Sequence, residues 1–114
     1  MESSIGRILV ELISPIVDIT LSMSEEMNTP FCTYDLSELP TREKKGIYKW
    51  TATVSIWVVG TAFDQIEPLA AAIKTAIEAR KNRDFFAKMI NQEEQSDGQS
   101  QVAYKIDYSI TQLL

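Results

Sequence analysis

Residues 47–80 read IYKWTATVSIWVVGTAFDQIEPLAAAIKTAIEAR. In the first part, Tyr48, Trp50, Ala52, Val54, Ile56 and Val58 alternate with Lys49, Thr51, Thr53, Ser55, Trp57 and Val59. A period of two with one strongly apolar set is the pattern of a β-strand that buries one face. Beyond Gly60 the apolar residues fall at Ile66, Leu69, Ala70, Ile73 and Ile77, the spacing of a helix with a single apolar stripe. A long strand is thus followed directly by a helix able to cover it, and the rest of the chain is read around that pair.

Working towards the N-terminus, Ser37 to Gly46 carries Pro40, Arg42, Glu43, Lys44 and Lys45 with almost no apolar side chain, which predicts an exposed loop. Its charges suit a solvated loop, with a basic partner-binding patch as the other reading; Glu43 interrupts that patch. Before the loop, Phe31 to Leu36 predicts a short strand entered through a turn at Pro30. Val17, Ile19, Leu21 and Met23 alternate with polar residues and predict a half-buried strand. Ile5, Ile8, Leu9, Leu12 and Ile13 predict a first helix over residues 3–14, capped by Ser3 or Ser4 and stopped by Pro15.

Towards the C-terminus, Asp64 and Glu67 have the spacing of a capping box and Pro68 follows within the predicted first turn, so the second helix is expected over residues 64–80. Two strands follow, Phe85 to about Gln92 and Val102 to about Thr111, joined by a polar loop from Glu93 to Gln101 that contains Asp97 and Gly98. Tyr104, Ile106, Tyr108 and Ile110 share one face of the last strand and match the apolar face of the central one. Helix, three strands, helix and two strands, each with one side to hide, predict an α+β two-layer sandwich. Its mostly antiparallel sheet of four or five strands carries both helices on one face.

The chain has 114 residues, enough for one core, so residues 1–114 are expected to form a single domain. A net charge of -5 disfavours direct binding to nucleic acid or to an anionic membrane surface. No stretch reaches the roughly 20 apolar residues of a membrane helix, and neither an export signal nor a disulfide pair is present, so a reducing, intracellular setting is expected. Histidine is absent, which removes histidine bases and histidine metal sites. Cys32 has no second cysteine and lies in a predicted strand, where it reads as packing. The pairs Glu25/Glu26 and Glu93/Glu94 fall in polar segments, with no burial to separate their pKa values. The four glycines are scattered and form no phosphate-cradling loop. Neither catalytic residues nor cofactor or metal ligands are therefore nominated, and a non-enzymatic role is expected.

Trp50 and Trp57 differ in parity and must point to opposite faces of the central strand. If the helices cover Trp50, then Trp57 and Val59 stand on the other face, either partly buried or as a possible subunit interface.

The order of parts resembles one family: the phage and prophage tail completion (tail terminator, DUF3168-like) proteins. The resemblance is carried by the amphipathic N-terminal helix Ile5 to Ile13, the Thr29-Pro30-Phe31 approach to a strand and the long strand Tyr48 to Val59. The Leu69-Ala70-Ala71-Ala72-Ile73 helix and the final Tyr104-Lys105-Ile106-Asp107-Tyr108 strand complete it. It implies an α+β domain acting as a homo-oligomer, a ring often of six subunits, at the head-proximal end of a tail. The implied partners are tail-tube or neck proteins, and the implied location is the virion or the bacterial host cytoplasm. It carries no binding residue by position. Two readings stand beside it: a small adaptor or ligand-binding module, marked by a deep apolar pocket, and a small enzyme with a site between subunits.

Overall fold

The computed structural model describes residues 4–20, 29–43, 46–82, 84–96, 98 and 101–113. The elements run α1 (Ile5–Ile13), β1 (Ile19–Thr20), β2 (Phe31–Glu43), β3 (Gly46–Gly60), α2 (Phe63–Arg80), β4 (Phe85–Ser96) and β5 (Val102–Leu113). They form the expected α+β sandwich, with a five-stranded sheet in the order β1-β2-β3-β5-β4. Only the short β1 pairs parallel to its neighbour; the other three pairings are antiparallel.

The period-two pattern of residues 47–59 becomes the middle of this sheet. Ala52, Val54, Ile56 and Val58 lie opposite Ile110, Tyr108, Ile106 and Tyr104, so two strands present one continuous apolar face. Ile5, Ile8, Leu9 and Ile13 of α1 and Ile66, Ala70, Ile73 and Ile77 of α2 complete the core against it. Two helical stripes and one sheet face remove each other's apolar area from water, the main favourable term in the fold.

At its start, α1 places Ser4 in the capping position, yet the serine caps nothing. Its backbone N–H donates to Gln112 Oε1 at 3.1 Å, and its Oγ pairs with Gln112 Nε2, fastening the helix to the end of β5. The expected capping box of α2 is also absent. Ala62 is the cap residue without a side-chain bond, and Gln65 Oε1 instead accepts from the Thr61 N–H at 2.8 Å. The helix starting at Phe63 puts Pro68 in its second turn, where the proline removes one i→i−4 hydrogen bond on an exposed side.

Three further expectations change. The strand ending near Leu36 continues to Glu43, so Ser37–Glu43 is not a loop but the outer arm of a hairpin, paired from Ser37↔Thr53 to Glu43↔Gly46. Gly46 has φ +115°, a left-handed value that a side chain tolerates poorly. The strand expected to end near Gln92 continues to Ser96, so Glu93–Ser96 also belongs to a ladder. Both segments are polar, and each is held by the hydrogen bonds of a long neighbour rather than by its own propensity. Of the strand expected over Val17 to Met23, only Ile19–Thr20 is described as such; Val17 is buried in the bend before it, and Leu21 to Met23 fall outside the described residues. Glu25 and Glu26 do too. The turn at Pro30 contains a cis Thr29–Pro30 bond.

Candidate functional site

The two tryptophans divide the sheet as their parity requires. Trp50 packs against the helix-covered core, where its indole Nε1 is buried and finds no acceptor among the described residues, at a cost of about 1–3 kcal/mol. Trp57 stands on the face that α1 and α2 leave uncovered and is half-buried.

Around it the register assembles a mixed patch. Trp57 lies opposite Thr33 of β2 and Lys105 of β5. Lys105 Nζ is 5.7 Å from the centroid of the indole ring, in reach of a cation–π attraction. The same ammonium lies 3.8 Å from Glu93 Oε1 and 3.9 Å from Asp107 Oδ2. Ser55 Oγ donates to Asp107 Oδ1 at 2.7 Å. Thr51 and Thr53 continue this face and are exposed. Val59 does not share that exposure: it is 5% exposed and lies opposite Phe31, itself 1% exposed, with Thr33 buried beside them. The face is therefore closed at the Phe31/Val59 end and open from Trp57 to Thr51. Such a surface offers one aromatic anchor beside a compensated charge cluster, with exposed threonines further along the strand, a composition suited to protein contact.

Cys32 is fully buried, and burial pushes its thiol up to about 12, so the nucleophilic thiolate is absent at neutral pH. Among the described residues no cluster of three cysteine, aspartate or glutamate side chains is placed to hold a metal ion. An open groove of about 500 Å³ runs between α2 and β4, lined by Lys74, Thr75, Glu78, Ala79, Met89 and Tyr108. Burial, with a smaller contribution from Glu78, raises the Tyr108 phenol to about 12, and Lys74 Nζ donates to Gln92 Oε1 at 2.7 Å. Tyr104 is likewise raised, first by burial and then by Glu94 and Glu67. The groove is a shallow surface on which the Tyr108 phenol stays neutral, rather than the deep pocket a ligand-binding module would show. No described helix is long and apolar enough to cross a membrane.

One feature escaped the residue pattern. Phe86, Met89 and Ile90 are 53%, 47% and 58% exposed, all on β4. The signal was present in the adjacent apolar pairs Phe85–Phe86 and Met89–Ile90, because a strand cannot bury both members of such a pair on one face.

No family model matches this chain, and no curated protein matches it either. Among solved structures, the fold is similar to that of a chain in the virion of a native gene transfer agent particle. The TM-score is 0.65, with 12% sequence identity over 93% of this chain and 84% of that one. At that identity the likeness is one of fold.

Proposed function

We propose that this protein is a structural component of a phage or phage-like particle. In this reading it is a tail completion protein, associating as a ring at the tail–head junction and contacting tail-tube or neck proteins. The observation that carries the proposal is the shared fold, which spans nearly the whole chain and belongs to a protein of a virion. The element order that resembles tail completion proteins points the same way, and the mixed patch around Trp57 supplies a surface suited to subunit contact.

In this role Trp57 anchors the contact and Val59, on the same strand face but only 5% exposed, borders it at the closed end. The Trp57→Glu variant is expected to keep its melting temperature within a few degrees, since substitutions at incompletely buried surface positions usually change stability by only about 0.5 kcal/mol. The same variant should assemble into particles poorly, because a carboxylate would have to be desolvated at the centre of the contact. Calorimetry of the purified variant and quantification of its copies per particle check the two halves.

The role itself is tested by deleting the gene and imaging the particles by electron microscopy. Tails with an altered length or an unfinished head-proximal end are the expected result. Particles whose tail length and end structure are unchanged would exclude it.

A further inference from the structure

The two edges of the sheet are not alike. On the β2 side, β1 covers Cys32 and Thr33, and Pro40, which has no N–H to offer, interrupts the remaining edge. On the other side, among the described residues, β4 pairs only with β5 and runs for 12 residues without proline or glycine. Of the five large apolar side chains exposed among the described residues, β4 holds three: Phe86, Met89 and Ile90. A long edge without proline and with exposed apolar side chains is a template for another strand, and its charges and irregularity restrict which strand can pair with it.

The charge order along β4 says which strand. Lys88 lies near its start, the half of the strand at which Arg80 stands 5.3 Å from the ring of Phe85 and Lys81 stands 5.0 Å from that of Phe86. Glu93 and Glu94 lie towards its end, both exposed. Lys88 has no ion-pair partner among the described residues. A strand that runs from positive to negative complements itself when a second copy lies antiparallel, and repels itself when the copy lies parallel.

The irregularity in β4 selects the register. Between Met89 and Asn91 the pairing with β5 shifts by one. Phe85, Ala87 and Met89 therefore share the helix-side face before the shift, and Gln92, Glu94 and Ser96 share it afterwards. Pairing Phe85 with Ser96 of a second copy keeps every residue on its own face along the whole strand, which a register displaced by one residue does not. That register sets Lys88 opposite Glu93 twice, by symmetry, and Ile90 beside Asn91.

We infer that the free edge of β4 is a two-fold docking site for β4 of a second copy of this chain. The strands run antiparallel with Lys88 facing Glu93, and two five-stranded sheets become one continuous sheet. The contact is isologous and closes on itself as a dimer. It runs along the β4 edge and does not depend on where the protein acts; Glu93 also lies 3.8 Å from Lys105 Nζ in the patch beside Trp57, so Lys88→Glu is the swap that separates this contact from one made through Trp57.

Sedimentation and light scattering of the purified chain should give a concentration-dependent mass that rises to twice 12.9 kDa. Amide exchange in β4 should slow over the same concentration range. Lys88→Glu alone, or Glu93→Lys alone, should lower the association constant about tenfold, because each swap acts twice in the symmetric contact. The double variant K88E/E93K should restore it. Circular dichroism melts verify that all three stay folded, as expected for exposed positions. A monomer up to millimolar concentration overturns the inference. So does a ring-sized mass without a dimer, a dimer indifferent to both single swaps, or a double variant no better than the singles.

Discussion

Replacing Ile73 by aspartate is expected to leave the protein unfolded at room temperature. Ile73 is fully buried on α2, in the same apolar cluster as Ile66, Ala70 and Ile77 of its own helix and Val54, Ile56 and Ile106 of the sheet. No cation stands in that cluster to pair with a new carboxylate. The substitution removes a large apolar side chain, at about 2–5 kcal/mol, and adds a buried polar group that costs several kcal/mol more. Against a stability of roughly 5–15 kcal/mol, the sum leaves little or nothing. Near-ultraviolet circular dichroism and a thermal scan should show no cooperative transition. Ile73→Val at the same site, costing about 0.5–1.5 kcal/mol, should still melt cooperatively. An Ile73→Asp variant that melted like the parent would mean that α2 does not face the sheet.

Gly60→Ala is expected to lower the melting temperature by roughly 5–15 °C, a large effect for one added methyl group. Gly60 ends β3 where the chain turns back as α2, and a Cβ there would overlap Ile66 Cγ2 and stand 2.6 Å from Gln65 Oε1. The glutamine end can swing away, though only by giving up its hydrogen bonds from the Thr61 N–H and hydroxyl. Ile66 has no such freedom, being fully buried in the core. The helix must then lift from the strand, at about 1–3 kcal/mol. Calorimetry of the purified variant measures it, and Gly98→Ala, in a loop where an added Cβ meets nothing within 4 Å, provides a contrast in space; the left-handed φ of +76° at Gly98 still makes that change strained.

These two sites belong to the part of the fold that the residues announce. The alternation from Tyr48 to Val59 and the helical stripe from Ile66 to Ile77 each report one buried face, and the buried residues of β3 and α2 follow them. Parity also separates Trp50 from Trp57 without any knowledge of the neighbours. The polar arms at Ser37–Glu43 and Glu93–Ser96 were illegible for a physical reason: their strand character comes from the ladders to β3 and β5, a property of the partner. The expected capping box failed similarly. The helix begins at Phe63 rather than Asp64, and Gln65, not Asp64 or Glu67, accepts from the Thr61 N–H ahead of it.

Of the contact face nominated from parity, the stretch from Trp57 to the exposed Thr53 and Thr51 stays open, whereas Val59 is shut in against Phe31. Alternation tells which side of a strand a residue is on, but not how far along that side a cover extends. The β4 edge is harder still to read. The shift between Met89 and Asn91 breaks the period of two, and the chain-order neighbours β3 and β4 are separated in space by β5.

That insertion of β5 has a consequence for how the molecule comes into being. β5 leaves the ribosome after every other element of the sheet, yet it fills the gap between β3 and β4 and receives α1 through the bonds between Gln112 and Ser4. Until residues 102–113 have been made, β3 lacks one of its two neighbours, β4 has no sheet to join, and α1 has no strand end to hold it. The β2–β3 hairpin and its covering helix can form during synthesis; closure of the sheet waits for β5 to emerge. Pairing between α1 and β5, so far apart in the chain, also carries a high loop-closure cost, which favours slow folding. A chain cut short within β5 therefore exposes two unpaired strands at once, and a truncation there is a more severe lesion than the few residues it removes would suggest.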